Sequence, residues 1–204
     1  MKRITKTILR AAALVAAVVL LLSFTSCGKT YSEEEIKTAA AELIEESYEI
    51  NEIFFGEGLP GVEPEGEDIM QYLKIAEDSP YHTEEELKAA ALKVYSEGYC
   101  ALLFERAFSG FSLDENGEDG IDTTKLVDAR FVTYNDELVI LPLTDEDIME
   151  LERTYDVESI KVVKQKSGTV IISVQSFVDG ENAGEVTLNM IMTENGWRLD
   201  SPTY

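Results

Sequence analysis

Ile160-Lys-Val-Val-Lys-Gln-Lys166, Thr169-Val-Ile-Ile-Ser-Val-Gln-Ser-Phe-Val178 and Glu185-Val-Thr-Leu-Asn-Met-Ile-Met-Thr193 follow one another near the end of the chain. Each is rich in β-branched residues and is bounded by turn formers, which predicts three long strands. Ser167-Gly168 and the segment Asp179-Gly-Glu-Asn-Ala-Gly184 separate them. Asn195-Gly196 is a strong two-residue hairpin signal that leads into Trp197-Arg-Leu199. A run of meandering strands joined by short turns gives an antiparallel sheet, and its apolar face must be covered.

Upstream, Arg130–Tyr134, Asn135-Asp136 and Glu137–Leu141 read as a further hairpin. Asp145 to Tyr155 is expected to form a helical turn, and Met70 to Ala76 either a short strand or a turn of helix. The cover for the sheet lies earlier. Ser32 with Glu35 three residues on forms a capping-box sequence. Ile36, Ala39, Ala40, Leu43, Ile44, Ser47, Ile50, Ile53 and Phe54 then recur at helical spacing. Glu42, Glu45, Glu46 and Glu49 line the opposite face. A membrane-lying helix would carry Lys and Arg there, so this one is expected to pack on protein. Thr83 and Glu86 start a second helix with Leu87, Ala90, Ala91, Val94 and Tyr95 on its apolar face. Gly98 is expected to break it before a short helix through Leu102, Leu103 and Phe108. Helices followed by strands predict an α+β domain, with N-terminal helices on a strongly bent antiparallel sheet.

The chain of 204 residues has 17 Lys+Arg, 40 Asp+Glu and a net charge of −23. Lys2, Arg3, Lys6 and Arg10 precede Cys27 without any acidic residue, so the part from Cys27 onward carries −27. Binding phosphates needs a basic patch, so this charge argues against nucleic acid and anionic lipid headgroups as partners. It suits basic partners. The basic start, the apolar run Ala11–Leu22 and the small residues before Cys27 form a signal-peptide pattern. The run is too short to span a bilayer, which takes about 20 residues.

Ser23-Phe-Thr-Ser-Cys27 resembles the lipobox of bacterial lipoproteins, with Phe24 in place of the usual Leu. That resemblance implies an acylated Cys27 as mature N-terminus. Residues 1–26 are then the signal peptide, 27–31 the lipidated tether and 32–204 a single domain outside the cytoplasm. Phe131-Val-Thr-Tyr-Asn-Asp-Glu-Leu-Val-Ile140 and Glu194-Asn-Gly-Trp-Arg-Leu-Asp-Ser-Pro202 carry a second resemblance. They are similar to cystatin-like, cone-shaped domains related to nuclear transport factor, found in small lipoproteins of Gram-positive bacteria. The order of elements also resembles that of secreted inhibitors of cell-wall DL-endopeptidases.

The catalytic inventory is small. His82 is the only histidine, and it stands at a helix entrance. Cys100, in the run Tyr-Cys-Ala-Leu-Leu-Phe104, is expected to be a buried thiol without a disulfide partner once Cys27 is acylated. Asp114 to Asp122 invites comparison with a calcium loop, but the sixth and twelfth places hold Asp119 and Lys125 rather than Gly and Glu. No metal or cofactor is therefore expected. The expected function is a non-catalytic protein-binding module at the cell envelope, a regulator or inhibitor of a wall hydrolase. Its candidate contacts are Asp114, Glu115, Glu118 and Asp119 in one acidic loop, and Asp179, Glu181 and Asn182 in another. The alternative is a small-molecule site, or an enzyme, in the open end of a cone lined by Tyr134, Phe177 and Trp197.

Overall fold

The computed structural model describes residues 30–63, 71–109, 111–114, 124–127, 129–142 and 153–204. It is a mixed α+β structure. Among the described residues, three helices, α1 (Glu33–Phe55), α2 (Glu84–Val94) and α3 (Glu97–Ser109), accompany two four-stranded antiparallel sheets. The shorter sheet has the order β1-β2-β6-β5, with β1 Gly61–Val62, β2 Leu73–Ile75, β5 Phe131–Tyr134 and β6 Glu137–Ile140. The longer has the order β10-β9-β8-β7, with β7 Arg153–Lys166, β8 Thr169–Val178, β9 Glu181–Thr193 and β10 Gly196–Leu199. A separate two-stranded ladder pairs β3 (Phe111–Asp114) with β4 (Thr124–Val127).

The helices begin where their caps put them. Ser32 Oγ accepts from Glu35 N at 3.1 Å, and Glu33–Glu35 complement the positive helix end. At α2 both halves of the capping box form, between Thr83 and Glu86. The apolar face expected for α1 is buried from Ile36 to Phe54, with Ala39 half-buried. The break between α2 and α3 falls at Tyr95-Ser96, not at Gly98. Tyr95 turns extended and bridges to Leu199 in parallel, joining the edge of the long sheet. Ser96 then caps α3, its Oγ accepting from Tyr99 N at 3.1 Å and its N–H donating to Leu199 O at 2.8 Å. Gly98 sits in the first turn of α3, where only Ser96 Oγ stands near a would-be Cβ.

Tight turns set the strand registers. Asn135-Asp136, Ser167-Gly168 and Asp179-Gly180 all have positive φ at both positions, the type I′ geometry that matches strand twist. The expected six-residue connection at 179–184 is thus a two-residue turn, and Glu181–Gly184 extend β9. Between β9 and β10 the turn residues are Glu194-Asn195, one position before the expected pair, and the positive φ (103°) falls on Gly196. Leu73–Ile75 resolve as strand, pairing with β1 and β6. Arg153–Tyr155 also belong to a strand rather than to a helical turn, whereas 145–152 lie outside the described residues.

Bulges interrupt the long sheet. In β7, four residues from Val157 to Ile160 stand opposite Val174 alone. Ser159 Oγ bridges the gap, accepting from Gln175 N at 2.8 Å and donating to Asp156 O at 2.6 Å. Val163 makes a second bulge in β7, and Ala183 a third, in β9. Bulges of this kind bend a strand and sharpen its twist.

One apolar core joins the parts. Val170, Ile172, Val174, Leu188, Met190 and Leu199 cover one face of the long sheet and are buried in the same cluster as the α1 face. Phe54 packs against Phe131 of the short sheet (5.7 Å between centroids) and against Phe108 (6.3 Å). Arg130 completes that junction. It is buried, and donates from Nε to Ile53 O (3.3 Å) and from Nη2 to Gly56 O (2.7 Å), capping the carbonyl end of α1. Burial pulls its pKa down to about 10, against the opposing influence of Glu52, and it stays charged at neutral pH.

Candidate functional site

The long sheet has two unlike ends, and the chain reaches it at one of them. Tyr31 is buried with its ring edge-on to Trp197 at 4.9 Å. With the Gln165 amide assigned in the orientation that matches its neighbours, it clasps the Tyr31 backbone, its oxygen accepting from Tyr31 N (2.8 Å) and its nitrogen donating to Tyr31 O (3.3 Å). This end carries the β7–β8 and β9–β10 turns, tied by Met192 N donating to Gly168 O at 2.7 Å. The Asp179-Gly180 turn lies at the other end of β8. Nine residue steps at about 3.3 Å each put it about 30 Å away along the strand.

Among the acidic candidates, Asp179 and Glu181 are exposed at that far turn. Asn182 is also exposed, but its side chain is engaged locally. Its Oδ1 accepts from Gln175 Nε2 and from Gly184 N, both at 2.9 Å, and so braces the β9 bulge. Asp114 is the last residue of β3, opposite Thr124. Glu115, Glu118 and Asp119 lie outside the described residues, as does Cys27.

The three aromatic candidates are dispersed. Tyr134 ends β5 in the short sheet and is 43% exposed. Trp197 and Phe177 are both in the long sheet, but they pair with Met192 and Asn182 of β9. Ten residue steps separate those partners, about 33 Å along the strand. Trp197 is buried in the core at the Tyr31 end, and Phe177 is half-buried near the far turn.

Cys100 is a buried free thiol whose pKa burial pushes up to about 12, so it is a neutral thiol and a poor nucleophile at neutral pH. His82 is exposed, and its backbone N–H donates to Glu86 Oε2 at 2.8 Å in the α2 cap. This bond, first among several, holds the Glu86 carboxyl below the usual range. A buried polar network ties the chain end to the helices. Tyr95 Oη lies 2.7 Å from both Asn51 Oδ1 and Thr203 Oγ1, and Thr203 Oγ1 donates to Ser47 Oγ at 2.8 Å. Burial pushes the Tyr95 pKa up to about 12, against the opposing influence of its hydrogen-bonded neighbours Thr203, Ser47 and Asn51. Among the described residues no group of three His, Cys, Asp or Glu side chains is placed to hold a metal.

A row of lysines lies on the outer face of the long sheet. Lys161 faces Ser173, Lys164 faces Ile171 and Lys166 faces Thr169. In an uninterrupted strand Lys161 would point opposite to Lys164 and Lys166. The extra residue Val163 resets the alternation, so all three share the face turned away from the core. Glu185 marks that face, bonded to Lys161 Nζ (2.6 Å) and Ser173 Oγ (2.9 Å), which hold its carboxyl below the usual range. Lys164 and Lys166 are exposed.

Compared with known protein families and with curated proteins, the chain matches none.

Proposed function

We propose that the chain is a membrane-anchored extracytoplasmic domain, held by an acylated Cys27, that binds another protein of the cell envelope and catalyses no reaction. In this reading the helices and bent sheets form a cystatin-like cone. The partner is a protein with a basic surface, such as a cell-wall hydrolase that the domain regulates or inhibits. The observation that carries the reading is the polarity of the long sheet. Tyr31, four positions after Cys27, is clasped at one end, while the exposed acidic turn of Asp179 and Glu181 lies about 30 Å along β8 at the other. An anchor and a binding surface at opposite ends do not compete for the same space. The charge of −23 makes basic surfaces the natural complement.

The test measures binding to envelope extract and inhibition of wall hydrolases. Wild type is compared with a variant in which Asp114, Glu115, Glu118, Asp119, Asp179 and Glu181 are replaced by their amides. Wild type should bind, with association slowing several-fold as salt rises and the Debye length contracts from about 10 Å at 0.1 M to about 3 Å at 1 M. Equal binding by the neutralised variant removes the loop assignment. A small metabolite that stabilises the fold, with no protein bound, replaces this reading by the small-molecule one.

A further inference from the structure

The lysine row and the place where the chain reaches the sheet are neighbours. Gln165, which clasps the Tyr31 backbone, stands between Lys164 and Lys166 in β7. Four residues of extended chain reach at most about 14 Å. If Cys27 carries the lipid, the membrane surface therefore lies within about that distance of Tyr31, and the Lys164–Lys166 corner is the part of the sheet beside it. We propose that Lys161, Lys164 and Lys166 form a docking face for an anionic lipid bilayer, orienting the anchored domain with this corner of the outer sheet face against the headgroups. The inference rests on the lipid-anchor reading above.

Charge and geometry support this occupant. In a chain of net −23, residues 160–166 contain three lysines and no acid. The Val163 bulge places all three on one face, and Lys164 and Lys166 have no ion-pair partner among the described residues. Glu185 shares this face but is paired with Lys161, which leaves Lys164 and Lys166 as its uncompensated charges. Glu33, Glu34 and Glu35 open α1 against the core side of the sheet, and Glu194 sits in the β9–β10 turn. An anionic surface attracts the lysine face and repels the helix side, which selects one orientation. The overall acidity argues against free binding to such a membrane. A tether changes this, because the anchored domain meets the surface at a high effective concentration and the local patch decides its orientation. Pairing of two copies through their β7 edges is the weaker alternative, since it would bring like charges together.

The experiment uses the full lipidated protein, purified from membranes and reconstituted in vesicles of phosphatidylcholine, alone or mixed with phosphatidylglycerol. A fluorophore is attached at Thr169→Cys, exposed at the end of the row; the buried Cys100 is left unlabelled. Quenching by a headgroup nitroxide reports docking. It should be strong only with phosphatidylglycerol and fall at 1 M salt. Each lysine at an anionic surface favours docking by about fivefold, so Lys164→Gln with Lys166→Gln should lower the docked-to-free ratio by about thirtyfold. Both residues are exposed, so the double variant keeps the fold. Flotation with pure phosphatidylcholine vesicles isolates the anchor. Protein that floats there but is quenched equally in both lipids overturns the docking face and leaves the anchor intact. Protein that carries no lipid and fails to float overturns both.

Discussion

The long sheet is held by side-chain packing along its whole core face. Val170, Ile172, Val174, Leu188, Met190 and Leu199 are all buried in the cluster that includes the α1 face. The short sheet joins the same cluster through fewer residues, Phe131, Leu138 and Ile140, and adds the Arg130 guanidinium on the carbonyls at the end of α1. The first attachment is apolar and spread over many residues. The second is a smaller apolar contact pinned by one buried charge, with little room beside it. At Gly58, where φ is +92°, an added Cβ would stand 2.5 Å from Arg130 Nη2 and 2.6 Å from Ile140 Cδ1. A diffuse apolar attachment should lose stability smoothly with volume removed. A polar pin should fail locally, releasing the short sheet first.

Alkaline pH should produce the largest effect, and it bears mainly on the long-sheet side. Burial raises Cys100 from 9.0 to about 12, and Tyr95 and Tyr155 from 10.0 to about 12. Each keeps its proton longer when folded, so its contribution is complete below the unfolded pKa and disappears as pH rises through the folded one. Stability should therefore fall from about pH 9 for the thiol and about pH 10 for the phenols, and go on falling to about pH 12. Arg130, pulled down to about 10, acts in the opposite sense above that pH. Urea midpoints measured from pH 7 to 11 should be flat at first and then drop; a flat profile to pH 11 contradicts the burial of all three groups.

Ile172→Ala, in the middle of the diffuse attachment, should cost roughly 4 kcal/mol. Hydrogen exchange should then quicken across β8, β9 and α1 together. Arg130→Met should cost about 2 kcal/mol, because the carbonyls of Ile53 and Gly56 lose their donor while the cost of burying a charge disappears. Exchange should quicken at Val139 and Ile140 with little change in β8. If both variants loosen both sheets equally, the contrast between the two attachments is wrong. Thr83→Ala, which removes half of a surface capping box, should cost about 1 kcal/mol and fray only the start of α2.

The elements legible in the sequence are those fixed by local chemistry. Asn135-Asp136 and Ser167-Gly168 tolerate positive φ, and Thr83 and Glu86 satisfy a helix end by themselves. What the sequence concealed depends on partners far along the chain. Tyr95 leaves its helix because Leu199 offers a strand edge, and Ser96 is held there by Leu199 O and by Asp200. Gly98 therefore had no break to make. The lysine row was hidden by strict alternation, which a single bulged residue at Val163 overturns. The aromatic candidates shared a plausible composition, but register separates Trp197 from Phe177 and puts Tyr134 in the other sheet. Of the acidic candidates, Asp179 and Glu181 were legible as an exposed segment, whereas the bracing role of Asn182 appears only once the β9 bulge brings it within reach of Gln175.

The central claim is that the domain stands on the membrane by one end of the long sheet and presents the other. Energy transfer to acceptor dyes in the bilayer measures this directly in the lipidated protein, from a donor at Thr169→Cys and, separately, at Glu181→Cys. The account predicts strong transfer from position 169 and weak transfer from position 181, in keeping with about 30 Å of strand between the two ends. Equal transfer from both positions, or stronger transfer from position 181, would contradict it.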